Sequence, residues 1–398
     1  MITSFTVEGK TELEIPDPSS YTFQGKYAPF RAPVFYNPLM EFSRDIAVAV
    51  LSVFAEAKGR PVAVCDPLAG IGARGIRYAK EVRSVGRVVM GDLNAESIPL
   101  IINNAKRNGI EDRVDVTNKD ANLLLAEYSE PGERFDFIDI DPFGTPMPFL
   151  DSSIRALKNG GLLAVTATDT APLCGVHPKS CVRKYSSIPL RNEFCHETGL
   201  RILVGSVARE AAKYDFGALP VLSYSVDHYF RSYFRLSLGA RRADSAVGNL
   251  GYLLYCSSCL WRVTIAFDED FPTSCEGCGS PVRRAGPLWI GDLSDQDFLK
   301  TVSSFDSSYM RTNKRMSKLF KKLSGEVGMP VGFYVLDVVS KRLGMGAPSL
   351  ERVIKWLTSA GYPAHPTHFH PKGIKTDAPP YVVEDVIKSL HQATSRSD

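Results

Sequence analysis

The chain has 398 residues, 44% of them hydrophobic and 23% charged, enough apolar material for real cores, so global disorder is excluded. Forty-seven basic against 44 acidic residues leave a formal charge of +3, too little to mark the whole molecule as a polycation. Any nucleic-acid partner must therefore meet a local basic surface. No stretch approaches the roughly 20 apolar residues of a membrane helix, and the N-terminus lacks the order of charges and apolar residues of a signal peptide.

The length suggests about two to three domains. Residues 1–35 read as short strands and loops, because Pro16, Pro18, Pro29 and Pro33 break any helix. A helix over 38–58 stops at Gly59. Short apolar runs at 61–66, 87–92, 113–117, 135–140 and 161–166 then alternate with helical stretches at 74–83, 95–108, 121–128 and 146–158. Buried parallel strands alternating with helices predict a doubly wound α/β sheet, extended by a helix over 192–213 and two strands over 219–238. Beyond residue 240 the texture changes. A Gly-, Ser- and Cys-rich segment runs to about 290, and helices are predicted near 295–304, 307–323, 334–342, 349–360 and 382–392. The expected division is a catalytic domain over 1–240, a metal-binding insert over 241–290 and a mixed α/β domain over 291–398.

Gly70, Gly72 and Gly75 match G-x-G-x-x-G at the first strand–helix turn, and Asp92 ends the next strand, where a carboxylate can bind ribose hydroxyls. NAD and S-adenosylmethionine (SAM) enzymes share both features. Two details favour SAM. Asp66 ends the first strand, where a methionine ammonium needs an acid, and Arg74 can hold a methionine carboxylate but crowds a pyrophosphate.

The fourth strand ends in Asp141-Pro142-Phe143. The lone pair of a nucleobase amine is delocalised into the ring, so methylating it takes acceptors that hold its N–H groups and turn the lone pair outward. Asp141 and the Pro142 carbonyl supply such a pair, and Phe143 offers a face for a flipped base. Asp136 and Asp139 read as neighbours of this site or as a solvated edge.

These residues, with Val34-Phe35-Tyr36-Asn37-Pro38, Ser43-Arg44-Asp45-Ile46, Ala73-Arg74-Gly75-Ile76-Arg77, the run from Val165 to Gly175, Arg183-Lys184-Tyr185, Asp227-His228-Tyr229-Phe230-Arg231, Gly286-Pro287-Leu288-Trp289 and Thr367-His368-Phe369, resemble the tRNA (guanine(26)-N2)-dimethyltransferases from about residue 30 to about 380. The resemblance implies a Rossmann-like class I SAM-dependent methyltransferase that modifies the N2 amine of a tRNA guanine. It implies that Arg44, Arg74, Asp92, Asp120 and Ala121 contact SAM, with Asp120 at the adenine amine. Asp141 is then the catalytic carboxylate, and Phe35 pairs with Phe143 around the guanine. Residue patterns alone place Phe35 in a core.

Cys256, Cys259, Cys275 and Cys278 give C-x2-C-x15-C-x2-C, the spacing of a closed structural Zn²⁺ site. Cys174, Cys181 and Cys195 read as small buried hydrophobes. Two basic surfaces are candidates for RNA phosphates: the acid-free run Tyr309–Lys322, and Arg231, Arg235, Arg241 and Arg242 among aromatics. His365, His368 and His370 read as RNA-facing or packing residues rather than metal ligands. The expected protein is a cytoplasmic monomer that binds tRNA and no membrane.

Overall fold

The computed structural model describes residues 1–395. The chain opens with an antiparallel hairpin, β1 (Thr3–Glu8) and β2 (Thr11–Pro16), followed by proline-broken loops and α1 (Glu41–Lys58), which ends at Gly59 in the left-handed conformation. The alternating region then forms β3 (Val62–Asp66), α2 (Ala73–Glu81), β4 (Val85–Gly91), α3 (Ser97–Arg107), β5 (Val114–Thr117), α4 (Ala121–Glu127), β6 (Phe135–Ile140), α5 (Leu150–Arg155) and β7 (Leu157–Ala167). After α6 (Cys195–Ala212), the strands β8 (Phe216–Val226) and β9 (Tyr229–Leu238) complete one seven-stranded sheet in the order β8-β9-β7-β6-β3-β4-β5. Only β9 runs against its neighbours. The doubly wound expectation holds, and the strand order reverses between β3 and β6, where open α/β sheets bind their ligands.

Side chains on adjacent strand positions point to opposite faces and enter two separate cores. Val64, Phe137, Leu162 and Ala164 pack towards α1 and α2, whereas Cys65, Ile138, Leu163 and Val165 pack towards α6. Both cores continue into C-terminal residues: Leu299 and Phe320 join the first, Leu288 and Phe333 the second.

The predicted helix over 146–158 is shorter than expected. Leu157 pairs with Phe135, so β7 begins there, and Asn159-Gly160-Gly161 forms a bulge before Leu162 rejoins the register opposite Phe137. That Gly-rich signal interrupts a strand instead of ending a helix.

Beyond β9, the helix Ala240–Val247 leads into a three-stranded antiparallel sheet of β10 (Leu250–Tyr255), β11 (Arg262–Ala266) and β12 (Arg283–Trp289), with β10 central. Gly205 lets α6 lie close on this sheet, since a Cβ there would sit 3.0 Å from the Trp289 backbone nitrogen. The basic run forms α7 (Asn313–Glu326), starting later than predicted. A second small sheet contains β13 (Tyr334–Val335), β14 (Ala364–Pro366) and central β15 (Gly373–Thr376), with helices Leu336–Leu343, Leu350–Ser359 and Pro380–Ser395. Buried polar contacts tie this C-terminal part to the large sheet. Lys375 on β15 donates to Glu197 on α6 at 2.7 Å, and Glu197 also accepts from Arg201 at 2.9 Å.

Candidate active site

Gly70 and Gly72 in the loop after β3 adopt φ of +56° and +81°, a region that only glycine enters freely. A Cβ on Gly70 would lie 2.8 Å from the Phe35 carbonyl oxygen, so this glycine lets the loop run beneath the Phe35 segment. The Gly70 N–H donates to Asp92 Oδ2 at 2.7 Å, and Asn94 N–H donates to Oδ1 at 2.9 Å. Asp92 therefore stands where predicted, braced by the loop itself. Asp120 is the N-cap of α4, its Oδ1 accepting from the N–H groups of Asn122 and Leu123, and Ala121 beside it is buried.

Four charged residues at the ends of β3 and β6 and the start of α2 share one buried cluster. Arg74 Nη2 donates to Asp141 Oδ2, and its Nε lies 3.7 Å from Asp139 Oδ2. Its Nη1 is buried without a hydrogen-bond partner. Asp66 is buried and accepts from the Gly75 N–H at 3.0 Å. Burial pushes the Asp66 carboxyl up, the Asp139 charge adds to that, and Arg74 opposes only in part, leaving it at about 7. Burial acts on Asp141 in the same direction, but Arg74, then Arg231, then hydrogen bonds from Arg74 and Thr166 outweigh it and hold its carboxyl below the ordinary value. Asp141 keeps 22% of its side-chain surface exposed, so its carboxylate is held from below and open above.

The Asp66 shift has a stability sign. The unfolded carboxyl ionises near its ordinary value and the native one near 7. Between those values the native state holds more protons, so stability falls as pH rises through the window. Asp66→Asn should unfold with the parent near pH 4 and be more stable than it at pH 8, by on the order of 3 kcal/mol. Thermal unfolding at both pH values checks this; a variant no more stable than the parent at pH 8 removes the strain from this carboxylate.

Of the two readings of Asp139, neighbour of the site holds and solvated edge does not: it is the centre of the cluster. It is fully buried, takes a bidentate pair from Arg231 at 2.7 Å to each oxygen, and accepts the Tyr78 hydroxyl at 2.5 Å. Asp136 lies at the opposite end of β6, pairing with Arg60 and Lys158, and belongs to no site. Arg231 corrects one candidate RNA surface. It is buried, as are Tyr229, Phe230, Tyr233 and Phe234, because this strand lies inside the sheet. Only Arg235, Arg241 and Arg242 of that set are exposed.

Arg44 forks onto Glu8 at 2.7 and 2.5 Å and also reaches the Asn37 carbonyl at 3.1 Å. Arg77 pairs with Asp45 at 2.7 Å and Glu81 at 2.7 Å. Sequence reading missed Glu8, Arg77 and Tyr78. Glu8 ends a strand in a hairpin, ordinarily a solvated place, and only the folded hairpin carries it under α1.

Phe35 and Phe143, separated by more than a hundred residues, meet edge to face with ring centroids 4.2 Å apart and planes at 74°. Phe143 is 70% exposed, Phe35 half-buried and Pro142 buried. The loop that carries Phe143 is anchored from β7, since Gly144 N–H donates to Thr168 Oγ1 at 2.7 Å and Thr168 N–H to the Gly144 carbonyl at 2.9 Å.

The four clustered cysteines converge from two matching turns, in which Leu260 N–H donates to the Cys256 carbonyl and Gly279 N–H to the Cys275 carbonyl at 2.8 Å each. Sulfur separations are 3.5 Å for Cys256–Cys278 and 3.4 Å for Cys259–Cys275, and all four ligand atoms lie within 4.8 Å of one another. Cys181 is a buried hydrophobe as expected. Cys195 is not: it is partly exposed, and its Sγ lies 3.9 Å from His196 Nδ1 in a cluster with Cys174. His368 is a packing residue, its Nε2 accepting from Ser225 N–H at 3.1 Å and its Nδ1 lying 2.9 Å from Glu326. Among the described residues no helix is long and apolar enough to cross a membrane.

Comparison with known proteins agrees with this architecture. Residues 9–388 match the family model described as N2,N2-dimethylguanosine tRNA methyltransferase. A tRNA (guanine(26)-N(2))-dimethyltransferase of Methanothermobacter thermautotrophicus is 42% identical over 96% of this chain and 98% of its own length. A tRNA (guanine(26)-N(2)/guanine(27)-N(2))-dimethyltransferase of Aquifex aeolicus is 38% identical over 90% of each chain. The solved structure of Trm1 from Pyrococcus horikoshii with S-adenosyl-L-methionine superposes with a TM-score of 0.84 at 36% identity, covering 96% of this chain and 99% of that one. With the family model spanning nearly the whole chain and the fold superposing end to end, this protein belongs to the N2,N2-dimethylguanosine tRNA methyltransferase family.

Proposed function

We propose that the protein transfers one or two methyl groups from SAM to the exocyclic N2 of guanine-26 in tRNA, with Asp141 as the group that orients the amine. The observation that carries the reading is the juxtaposition, at the reversal of strand order, of a braced and partly open carboxylate with the Phe35–Phe143 pair and the glycine loop. SAM supplies a methyl group made electrophilic by its sulfonium. The residues fit that donor: the unpartnered Nη1 of Arg74 would hold the methionine carboxylate, Asp66 its ammonium, Asp92 the ribose hydroxyls, and Asp120 with Ala121 the adenine, while Gly70 and Gly72 would allow the close backbone approach. A cation beside Asp66 would relieve the strain on its carboxylate. Arg44 spends Nε and Nη2 on Glu8 and the Asn37 carbonyl, fixing the N-terminal hairpin and the Asn37 loop against α1, and its Nη1 is the group that would contact SAM.

Asp141 accepts one N–H of the guanine amine and the Pro142 carbonyl the other, which turns the nitrogen lone pair towards the methyl group. Because Arg74 holds the carboxyl low, Asp141 acts first as a fixed acceptor, and it takes the N–H proton it already bonds only as the nitrogen gains the methyl group and turns strongly acidic. The two phenyl rings leave no room for a base between them, since a sandwiched base needs planes about 7 Å apart. Phe143, the more exposed ring, swings aside to admit it. Incubating the protein with unmodified tRNA transcript and labelled SAM, then mapping the modified nucleotide, tests the reading. Label in N2-methylated guanosine at position 26 supports it, and absence of label there rejects it.

The four-cysteine cluster holds one structural Zn²⁺, its sulfur separations being close to the ~3.8 Å of a tetrahedral thiolate site. Cys256→Ser should bind no zinc and melt several degrees lower. Elemental analysis and thermal melting with and without chelator check this; a metal-free parent with an unchanged melting point would remove the zinc. The division into a catalytic unit (1–240), a zinc-carrying insert (241–290) and a tRNA-binding unit (291–398) accords with the large sheet, the β10–β12 sheet and the basic α7. The free thiols suit the reducing cytoplasm.

A further inference from the structure

The large sheet and the C-terminal part enclose an open cleft of about 420 Å³. It is lined by Arg315, Lys318 and Lys322 of α7, by Phe42 at the start of α1, which Arg315 covers, by His196 at the start of α6, and by Phe369. The cleft opens on the edge of the sheet that carries Asp141. The end of β8 and the start of β9 lie on that edge, Phe230 pairs with Ala167, and the next residue, Thr168, anchors the Phe143 loop. His196 also stands beside Phe230, with ring centroids 6.4 Å apart.

The charges in this lining are not consumed by the fold to the same degree. Arg315 is paired with Asp227 at 2.8 Å and covers the Phe42 ring, with its guanidinium 4.1 Å from the ring centre, so it builds the lining. Lys322 spends one N–H on the Thr367 carbonyl at 3.2 Å. Lys318 is exposed, and among the described residues neither it nor its neighbours Lys314 and Lys321 is ion-paired. Met316, Leu319, Phe320 and Leu323 bury the inner side of α7, which fixes the backbone from which the lysines project.

We propose that this cleft is a binding site for the RNA backbone, in which Lys318 and Lys322 hold phosphate next to the target nucleotide. A polyanion is the class of ligand that such a lining selects. Seating one of its phosphates here, on the catalytic edge but off the base pocket, fixes the register in which a base can reach Asp141. The inference rests on the reading of tRNA as substrate.

The test uses the full chain and an unmodified tRNA transcript. Binding is measured against salt for the parent, Lys318→Gln, the Lys318→Gln/Lys322→Gln pair and the corresponding Lys→Arg pair. The Gln variants should weaken tRNA binding, the pair by about tenfold at physiological salt, and flatten the log–log salt slope by about one unit per lysine. The Arg pair should restore both, and the dissociation constant for SAM should stay at the parent value throughout. In the parent, saturating tRNA should also protect Lys318 from an amine-acylating reagent while exposed Lys300 on the helix Gln296–Ser303 is not protected; this readout needs no variant to fold. Parent-like affinity and slope in the Gln pair, or equal labelling of Lys318 with and without tRNA, would overturn the proposal. If the parent still methylates tRNA, only this surface is wrong; if it neither binds nor methylates tRNA, the substrate reading falls as well.

Discussion

Asp141→Asn is expected to lower kcat for tRNA methylation by roughly 10²–10⁴-fold, the range for removing one positioned acceptor or base, while SAM binding changes little. Asparagine keeps the shape, and its side-chain carbonyl can still accept from Arg74, which in the parent binds Asp141 Oδ2. What it loses is the charge that steers the amine. Asp141→Ala is a worse probe, because it frees Arg74, whose Nη1 already lacks a partner, and so disturbs the cofactor side together with the substrate side. Single-turnover methylation beside a SAM-binding isotherm separates the two. A parent-like rate in Asp141→Asn would remove this carboxylate from the chemistry. Loss of SAM binding instead would move it to the cofactor. Since Arg74 and Arg231 hold the Asp141 carboxyl below its ordinary value, its ionisation should not limit the rate at any pH above the usual carboxylate range.

Asp139→Ala should be the most destabilising single change near the site, by about 3–5 kcal/mol, because it leaves the buried Arg231 guanidinium without its bidentate partner. It also strips the Tyr78 hydroxyl of its acceptor. Replacing both members of the pair, Asp139→Ala with Arg231→Met, should recover much of that loss, since the cost lies in the uncompensated charge rather than in the missing attraction. Denaturant unfolding of both single variants and the double one closes the cycle. If Asp139→Ala lost less than about 1 kcal/mol, the cluster would be solvated and its role in bracing Arg74 would fall.

Much of the site was legible in residue patterns. Strand–helix alternation and the glycine spacing located the loop after β3, and Asp92 and Asp141 stand at the strand ends where the alternation placed them. The four cysteines converge as their spacing requires. The errors share one cause. Arg231 reads as exposed because alternation with aromatics looks the same on an edge strand and on a covered inner one, and only the position of β9 between β7 and β8 decides between them. For Asp139, residue patterns leave open a neighbour of the site or a solvated edge, and the first holds because its partners come from α2 and β9, which sequence does not bring together. Cys195 reads as a small buried hydrophobe because nothing in its own segment announces Cys174 beside it.

What the amino-acid order determined by itself is whatever depends on neighbours along the chain: periodicity, turn chemistry, the glycine loop, and the ligand spacing within each cysteine pair. Tertiary structure alone decided which charges are paired, which rings touch and which cations remain free. Those outcomes depend on contacts between distant segments. Arg74 is turned to Asp141 by the docking of α2 on the sheet, Phe35 meets Phe143 across more than a hundred residues, and Lys318 stays available because Asp227, which lines the same cleft, is taken by Arg315.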